Sequence, residues 1–385
     1  MQLLIKNGLI LQTNETFVKG HIGVDQGKIA AVWYGEVPQV FSNTQHIDAD
    51  SFLVCPGFIE THVHGGMGFD FSYEKAGWEK MEERLAKNGV TSILATLSSL
   101  PPEKTLKFID RIVKMTEKNS SGRVNIEGIH MEGPYLNKEK KGIHLEENIR
   151  PGERDEAKRI LERAKGLVKV WTLAPDIKEN MALIETLAAS EVSVSIAHTE
   201  ADYDTAMAAF SAGANRVTHT FNTMPPLNHR YHGIINAAWQ HGAFMELIAD
   251  GYHVSPAIAK MFVSATDTNK IVLVSDNNEF SGFPDGKYIQ DNRPIIIEKK
   301  QMKTEEGYLA GSLLTLNQCA LNLTHWGFSL GAALKMISEN PARNAGIFDR
   351  KGSINCTKDA DIVIMDGQFS VIMTINGGRI VYKRQ

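Results

Sequence analysis

The chain has 385 residues, 43% hydrophobic and 22% charged, a composition that lets a soluble protein bury a large core. A formal net charge of −4 argues against nucleic acid as a partner, and no run approaches the roughly 18 apolar residues of a membrane span. The opening MQLLIKNGLILQTNE lacks a signal peptide's basic start and long apolar stretch, and Cys55, Cys319 and Cys356 form no CxxC pair, so a reducing cytoplasm is the expected location.

Residues 1–54 contain short strand-like pieces, LLIKNGLIL and GHIGVDQGKIAAVW, broken by Gly and Asn. Residues 346–385 read the same way, and NGG between two apolar alternations marks a hairpin turn. The two ends are expected to pair into one small β-sandwich domain.

Residues 55–345 alternate instead. Candidate strands are FIETHVH, VTSILATLSS, VNIEGIHMEG, LVKVWTLAPD, EVSVSIAH, RVTHTFN, FMELIADG and KIVLVSD. Between most of them lie stretches such as WEKMEERLAKNG, PEKTLKFIDRIVKMTEKN and DEAKRILERAKG, with apolar residues at the helical period. Eight strands alternating with helices predict an α/β fold, a (β/α)8 TIM barrel. A doubly wound open sheet fits less well, because no glycine-rich nucleotide fingerprint follows the first strand.

In such barrels, chemistry sits where strands meet the following loops. The candidate strand ends carry His62 and His64, then Glu132, His198, His219, His253 and Asp276. In FIETHVH the two histidines are two apart and share a strand face. In VSVSIAH, Val192, Val194 and Ile196 alternate with Ser193, Ser195 and Ala197, which puts His198 on the Ile196 face. Thr199 or Asp202 is positioned to cap the next helix, and His219 follows one α/β step later. Glu132, His198 and His219 make a three-ligand set for Zn²⁺ or a similar divalent ion, with a position left for water. Asp276, ending IVLVSD, is the candidate general base. His62 and His64 could hold a second metal, with Glu132 bridging the pair. Glu60 reads as structural, and Cys55 as buried at the domain junction.

PGFIETHVHGG, HMEGPYLNKEKKGIH, AHTEADYDTAMAAFSAGANRVTHTFNTMPPLNHR, IADGYHV, LVSD and LAGS follow in that order. With them the chain resembles, nearly end to end, the N-acetylglucosamine-6-phosphate deacetylase family of the amidohydrolase superfamily. The resemblance implies Glu132, His198 and His219 as metal ligands, Asp276 as the catalytic aspartate, and His62 and His64 as ligands of a second metal. It implies that His144, preceded by Ile143, and His253 contact the sugar and its carbonyl. Asn222, Thr223 and Arg230 match a substrate and phosphate loop, with Arg230 acting across a homodimer interface. Leu309, Ala310, Gly311 and Ser312 match a segment that covers the sugar. The cofactor implied is one or two divalent ions, Zn or Fe, Mn, Co or Ni. The substrate implied is a phosphorylated amino sugar.

The chain departs from the family pattern at Ile143, at Asn277-Asn278-Glu279-Phe280 after the aspartate, and at Tyr231-His232-Gly233 after Arg230. These positions touch the pocket and the phosphate loop, so N-acetylgalactosamine 6-phosphate or another N-acyl amine stays open as substrate. A non-catalytic relative would have lost metal ligands or the aspartate, and none is lost. A cyclic-amide hydrolase with a carboxylated lysine is disfavoured, because VKVWTLAPD ends without a suitable lysine.

Overall fold

A computed structural model describes residues 2–36, 44–118 and 122–385. Met1 and residues 37–43 of the expected N-terminal β-region, and the end of the helical stretch at Asn119, lie outside the described residues. Strands β1 (Leu3–Leu11), β2 (Phe17–Asp25), β3 (Lys28–Trp33), β4 (Gln45–Asp48) and β5 (Leu53–Pro56) open the chain. The next strand, β6 (Phe58–Val63), begins a second sheet, and a two-stranded ribbon follows, β7 (Gly65–Gly66) with β8 (Phe69–Asp70). The second sheet continues through β9 (Val90–Leu97), β10 (Asn125–Glu132), β11 (Val168–Leu173), β12 (Ser193–Ile196), β13 (Ala214–Val217), β14 (Phe244–Leu247) and β15 (Ile271–Leu273).

These eight strands pair in parallel, each with its neighbour in chain order. Parallel strands need crossovers, and amphipathic helices such as Pro102–Lys118 and Arg154–Ala164 supply them. Backbone beyond β15 joins the two ends of the sheet. Asp276 N–H donates to the His62 carbonyl at 3.1 Å, and His64 N–H donates to the Asn277 carbonyl at 2.8 Å. The barrel is therefore closed at its mouth by the residues on either side of the site.

Three further antiparallel strands, β16 (Gly286–Gln290), β17 (Arg293–Glu298) and β18 (Gln301–Thr304), form a separate sheet not foreseen in the sequence. Its signals were Asp291-Asn292 and Lys299-Lys300, two short polar turns between alternating segments. An apolar cluster of Phe280, Ile295, Ile297, Met302 and Ala310 seats this sheet, with Ile143 packed against it. Two departures from the family pattern, Ile143 and Phe280, thus meet in one cluster.

The last strands, β19 (Ile362–Met365), β20 (Val371–Asn376) and β21 (Arg379–Lys383), pair with the first ones in the order β21-β20-β19-β5-β1-β2-β3, with β4 also on β1. Gly377 and Gly378, at φ 53° and 76°, make the tight turn between β20 and β21 that the NGG motif predicted. Leu3, Ile10, Val24, Val54, Ile362 and Ile375 share a core separate from that of the barrel.

Inside the barrel, below its mouth, lies a hydrogen-bonded polar chain. His130 Nε2 meets Thr172 Oγ1 at 2.8 Å, Thr172 meets Thr218 Oγ1 at 2.8 Å, and Ser195 Oγ meets Thr218 at 2.6 Å. Ser195 is thus the inward residue of β12, while Val194 and Ile196 belong to the main apolar core with residues of the surrounding helices, Leu183 and Ala206 among them. The expectation that His198 shares the Ile196 face is corrected by the backbone. His198 sits past the strand end in the left-handed region at φ 48°, which breaks the alternation and turns the imidazole into the mouth.

Candidate active site

Every strand-end group named from the sequence lies at the same end of the barrel. His62 is the last residue but one of β6 and His64 follows that strand; Glu132 ends β10; His198, His219 and Asp276 come just after β12, β13 and β15, and His253 lies in the loop after β14. His219 and Asp276 are also left-handed, at φ 30° and 50°. Non-glycine residues held in that region are concentrated where a side chain must be aimed.

Hydrogen bonds on the far side of each ring orient it. His198 Nδ1 donates to the Lys140 carbonyl at 2.7 Å, and His62 Nδ1 donates to Glu246 Oε2 at 3.0 Å, so both rings turn Nε2 toward the centre. His64 Nδ1 meets Ser98 Oγ at 3.1 Å. Glu132 stands in the middle. Its Oε1 lies 3.3 Å from His198 Nε2, 3.1 Å from His219 Nε2 and 3.5 Å from His62 Nε2; its Oε2 lies 3.2 Å from His64 Nε2. His198 and His219 bring their Nε2 atoms within 3.0 Å of each other.

These separations answer whether a metal fits. Tetrahedral bonds of about 2.1 Å have ligand–ligand edges of about 3.4 Å, close to those found among Glu132, His198 and His219. Among the described residues, His62 Nε2 is buried without a hydrogen-bond partner, which suits a ligand nitrogen. His62 and His64 also each place Nε2 at 3.4 Å from Asp276 Oδ1, so Glu132 and Asp276 flank a second position. The residues present fit one or two divalent ions.

Charge supports the assignment. Burial pushes His198 down to about 4, which leaves its nitrogen lone pair available. Burial also opposes charge on His62, but Glu246, Asp276 and Glu132 around it prevail and raise it to about 9. Asp276 is held below the usual carboxylate value: burial works against this, and His62 and His64 outweigh it.

Around this centre is a cavity of about 350 Å³. His144, Ile143, Asn222, Thr223, His253, Leu309, Ala310 and Gly311 line it. Ser99 N–H donates to His144 Nδ1 at 3.2 Å, so the ring carries its proton on Nε2, which faces Glu132 Oε2 at 3.2 Å. His253 Nδ1 is held by Asp250 Oδ2 at 2.6 Å. Gly311 passes so close that a Cβ there would lie 2.8 Å from the Asp276 carbonyl, and its φ is +87°. Ser312 anchors this segment from behind, its N–H donating to that same carbonyl at 3.1 Å. Asn277 donates to the Ser312 and Leu314 carbonyls and Asn278 to that of Ala310, so the unusual residues after the aspartate pin the covering segment.

Arg230 is not brought to the cavity within this chain; it is exposed, its Nε donating to His229 Nε2 at 3.1 Å. Glu60 is structural as expected, accepting the His62 and Ser275 backbone N–H groups. Sequence reasoning missed Glu246 and Arg216, both wholly buried and paired with each other. The available signal was a charged residue inside each of two short barrel strands, where burial demands a partner. It also missed the cavity residues Asp70, Ser98, Gln290 and Tyr308, whereas Asn278, one of the departures expected to touch the pocket, does line it.

The model of the amidohydrolase family matches residues 53–381. An N-acetylglucosamine-6-phosphate deacetylase of Bacillus subtilis (strain 168) is 35% identical over 385 residues, covering 99% of this chain and 97% of that protein. An N-acetylgalactosamine-6-phosphate deacetylase of Escherichia coli O157:H7 is 32% identical, covering 94% of each. Among solved structures, the N-acetyl-D-glucosamine-6-phosphate deacetylase of Mycobacterium smegmatis in complex with N-acetyl-D-glucosamine-6-phosphate superposes with a TM-score of 0.89 at 27% identity, covering 99% of both chains. The N-acetylglucosamine-6-phosphate deacetylase of Thermotoga maritima gives 0.87 at 30% identity, covering 99% of this chain and 100% of that one. With the barrel, the converging imidazoles and the strand-end aspartate in place, the chain belongs to the amidohydrolase family.

Proposed function

We propose that the protein hydrolyses the acetamide of N-acetylglucosamine 6-phosphate to glucosamine 6-phosphate and acetate. The reading rests on the convergence of Glu132, His198 and His219 to within 3.3 Å beside the Asp276 carboxylate, together with full-length relatives named for this activity. Glu132, His198 and His219 would hold one divalent ion, and His62 and His64 with Glu132 and Asp276 a second, Zn, Fe, Mn, Co or Ni. Such an ion, when bound, polarises the amide carbonyl and makes water more acidic.

The chain's own residues do the rest. Asp276, held ionised, takes the proton of the attacking water and delivers it to the amine nitrogen as the C–N bond breaks. His144, whose Nε2 proton lies beside Glu132 at the centre of the site, would turn that proton to the carbonyl oxygen and steady charge as it develops there. Leu309, Ala310 and Gly311 close over the sugar and exclude water. Asn222 and Thr223 take the phosphate end, Arg230 completes that site from the partner subunit of a homodimer, its guanidinium suited to phosphate, and His253 contacts the sugar. Cys55, Cys319 and Cys356 are all unpaired, which suits a cytoplasmic protein. Among the described residues no helix is long and apolar enough to cross a membrane.

N-acetylgalactosamine 6-phosphate is the second reading, favoured by the E. coli relative and by the changed residues Asn277 to Phe280. The test is acetate release from both epimers and from unphosphorylated N-acetylglucosamine, before and after chelation. Gluco turnover that is lost on chelation and restored by a divalent ion supports the first reading. Cleavage of the galacto epimer alone supports the second, and cleavage of neither phosphorylated sugar by metal-loaded protein sinks both.

A further inference from the structure

Gln290 ends β16 and pairs with Arg293 across the two-residue turn Asp291-Asn292, whose residues are left-handed at φ 49° and 59°. The Tyr73 hydroxyl donates to the Asp291 carboxylate and latches this tip to the barrel. The Gln290 side chain therefore stands on a rigid hairpin end. The residue is 6% exposed, yet its Oε1 is buried without a hydrogen-bond partner among the described residues. Buried carbonyl oxygens are seldom left unpaired.

Gln290 itself stands in the wall between two spaces. The active-site cavity and a second one of about 620 Å³ share Ser98, Ile143, His144 and Gln290. Ser98 and His144 follow the second and third barrel strands, whereas Asn222 and Thr223 follow the sixth. Gln290 thus belongs to the side of the mouth opposite the phosphate candidates.

We propose that Gln290 is a specificity-determining residue whose side-chain oxygen accepts a hydrogen bond from a hydroxyl on the phosphate-remote side of the substrate. The proposal rests on the deacetylase reading above. Two hydroxyls share the required chemistry: the anomeric hydroxyl, or one on a hydroxylated N-acyl group extending toward the second cavity. A site built around a buried acceptor rejects ligands that leave it unpaired.

The experiment measures kcat and KM for N-acetylglucosamine 6-phosphate, its 1-deoxy analogue and its N-glycolyl analogue, with wild type and Gln290→Leu. The wild type should lose about tenfold in kcat/KM on removal of the anomeric hydroxyl, or gain about tenfold on glycolyl for acetyl, according to which hydroxyl is read. Gln290→Leu should bring that ratio within about twofold of unity, chiefly through KM, while its thermal midpoint holds or rises because an unpaired carbonyl has been removed. A merely structural glutamine would show the reverse, a lower midpoint and unchanged ratios. Wild-type enzyme that cleaves all three compounds alike overturns the proposal, as does a folded Gln290→Leu that keeps the wild-type preference. If that variant does not fold, Gln290→Met takes its place, and the wild-type ratios stand as a test in their own right. Metal-loaded protein that cleaves none of the three sinks the deacetylase reading and this proposal with it.

Discussion

Glu246→Gln tests how the first imidazole is held. Glu246 and Arg216 are both wholly buried, on the adjacent strands β14 and β13, and pair directly. The remaining Glu246 oxygen accepts from His62 Nδ1 at 3.0 Å and from the His219 N–H at 2.8 Å. The amide is nearly isosteric but carries no charge, so the Arg216 guanidinium is left buried and uncompensated. Breaking a buried pair in this way costs about 3–5 kcal/mol. An unfolding entropy of about 2.1 cal/mol/K per residue gives about 0.8 kcal/mol/K for a chain of this length, so the melting midpoint should fall by about 4–6 °C. Loss of the carboxylate behind His62 should also weaken metal binding by about 10–100-fold. Calorimetry on metal-free protein reads the first effect, and titration with a divalent ion the second. Adding Arg216→Met removes the stranded cation and should recover much of the midpoint without recovering metal affinity. A single variant that keeps its metal affinity, or a double variant that regains it, would refute the orienting role of Glu246.

Asp276→Asn should lower kcat by about 10²–10⁴-fold while circular dichroism stays that of the wild type; a smaller loss would take the proton transfer away from Asp276. Gly311→Ala forces a Cβ to 2.8 Å from the Asp276 carbonyl at φ +87°, and should cost about 1–2 kcal/mol in a denaturant titration and raise KM; an unchanged KM would mean that the segment does not cover the substrate. Metal uptake should depend on pH with a definite sign. His62, raised to about 9 by Glu246, Asp276 and Glu132 against its burial, holds a proton in the metal-free protein below that pH. A ligand nitrogen must lose that proton, so binding at the His62–His64 position should strengthen by up to about tenfold per pH unit as pH rises toward 9. Buffers of differing ionisation heat would reveal the released proton calorimetrically, and uptake without proton release would contradict the assignment.

The alternation of apolar strands with amphipathic helices, and the polar group at the end of each of six strands, were legible in the sequence because both are local. A strand end is set by where its apolar run stops, and in a parallel barrel all such ends lie on one face whatever the details of packing. His62, His64, Glu132, His198, His219 and Asp276 could therefore be assembled on paper. Strand alternation does not extend to His198, which is left-handed two positions past the end of β12 and so turns its side chain the other way. No pattern of period two carries that information.

Partners far apart in the chain were decided by tertiary structure alone. Glu246 meets His62 across 184 positions, Asn277 reaches the covering segment at Ser312, and Tyr73 anchors Asp291 across 218. Each residue by itself reads as an ordinary polar group in a strand or turn. Its role appears only once the barrel closes and burial makes an unpaired charge or carbonyl costly. Sequence determined which chemical groups stand at the barrel mouth, since that follows from where each strand stops. Which of them are aimed, charged and covered was decided by the fold, because orientation and desolvation depend on neighbours that only three-dimensional packing supplies.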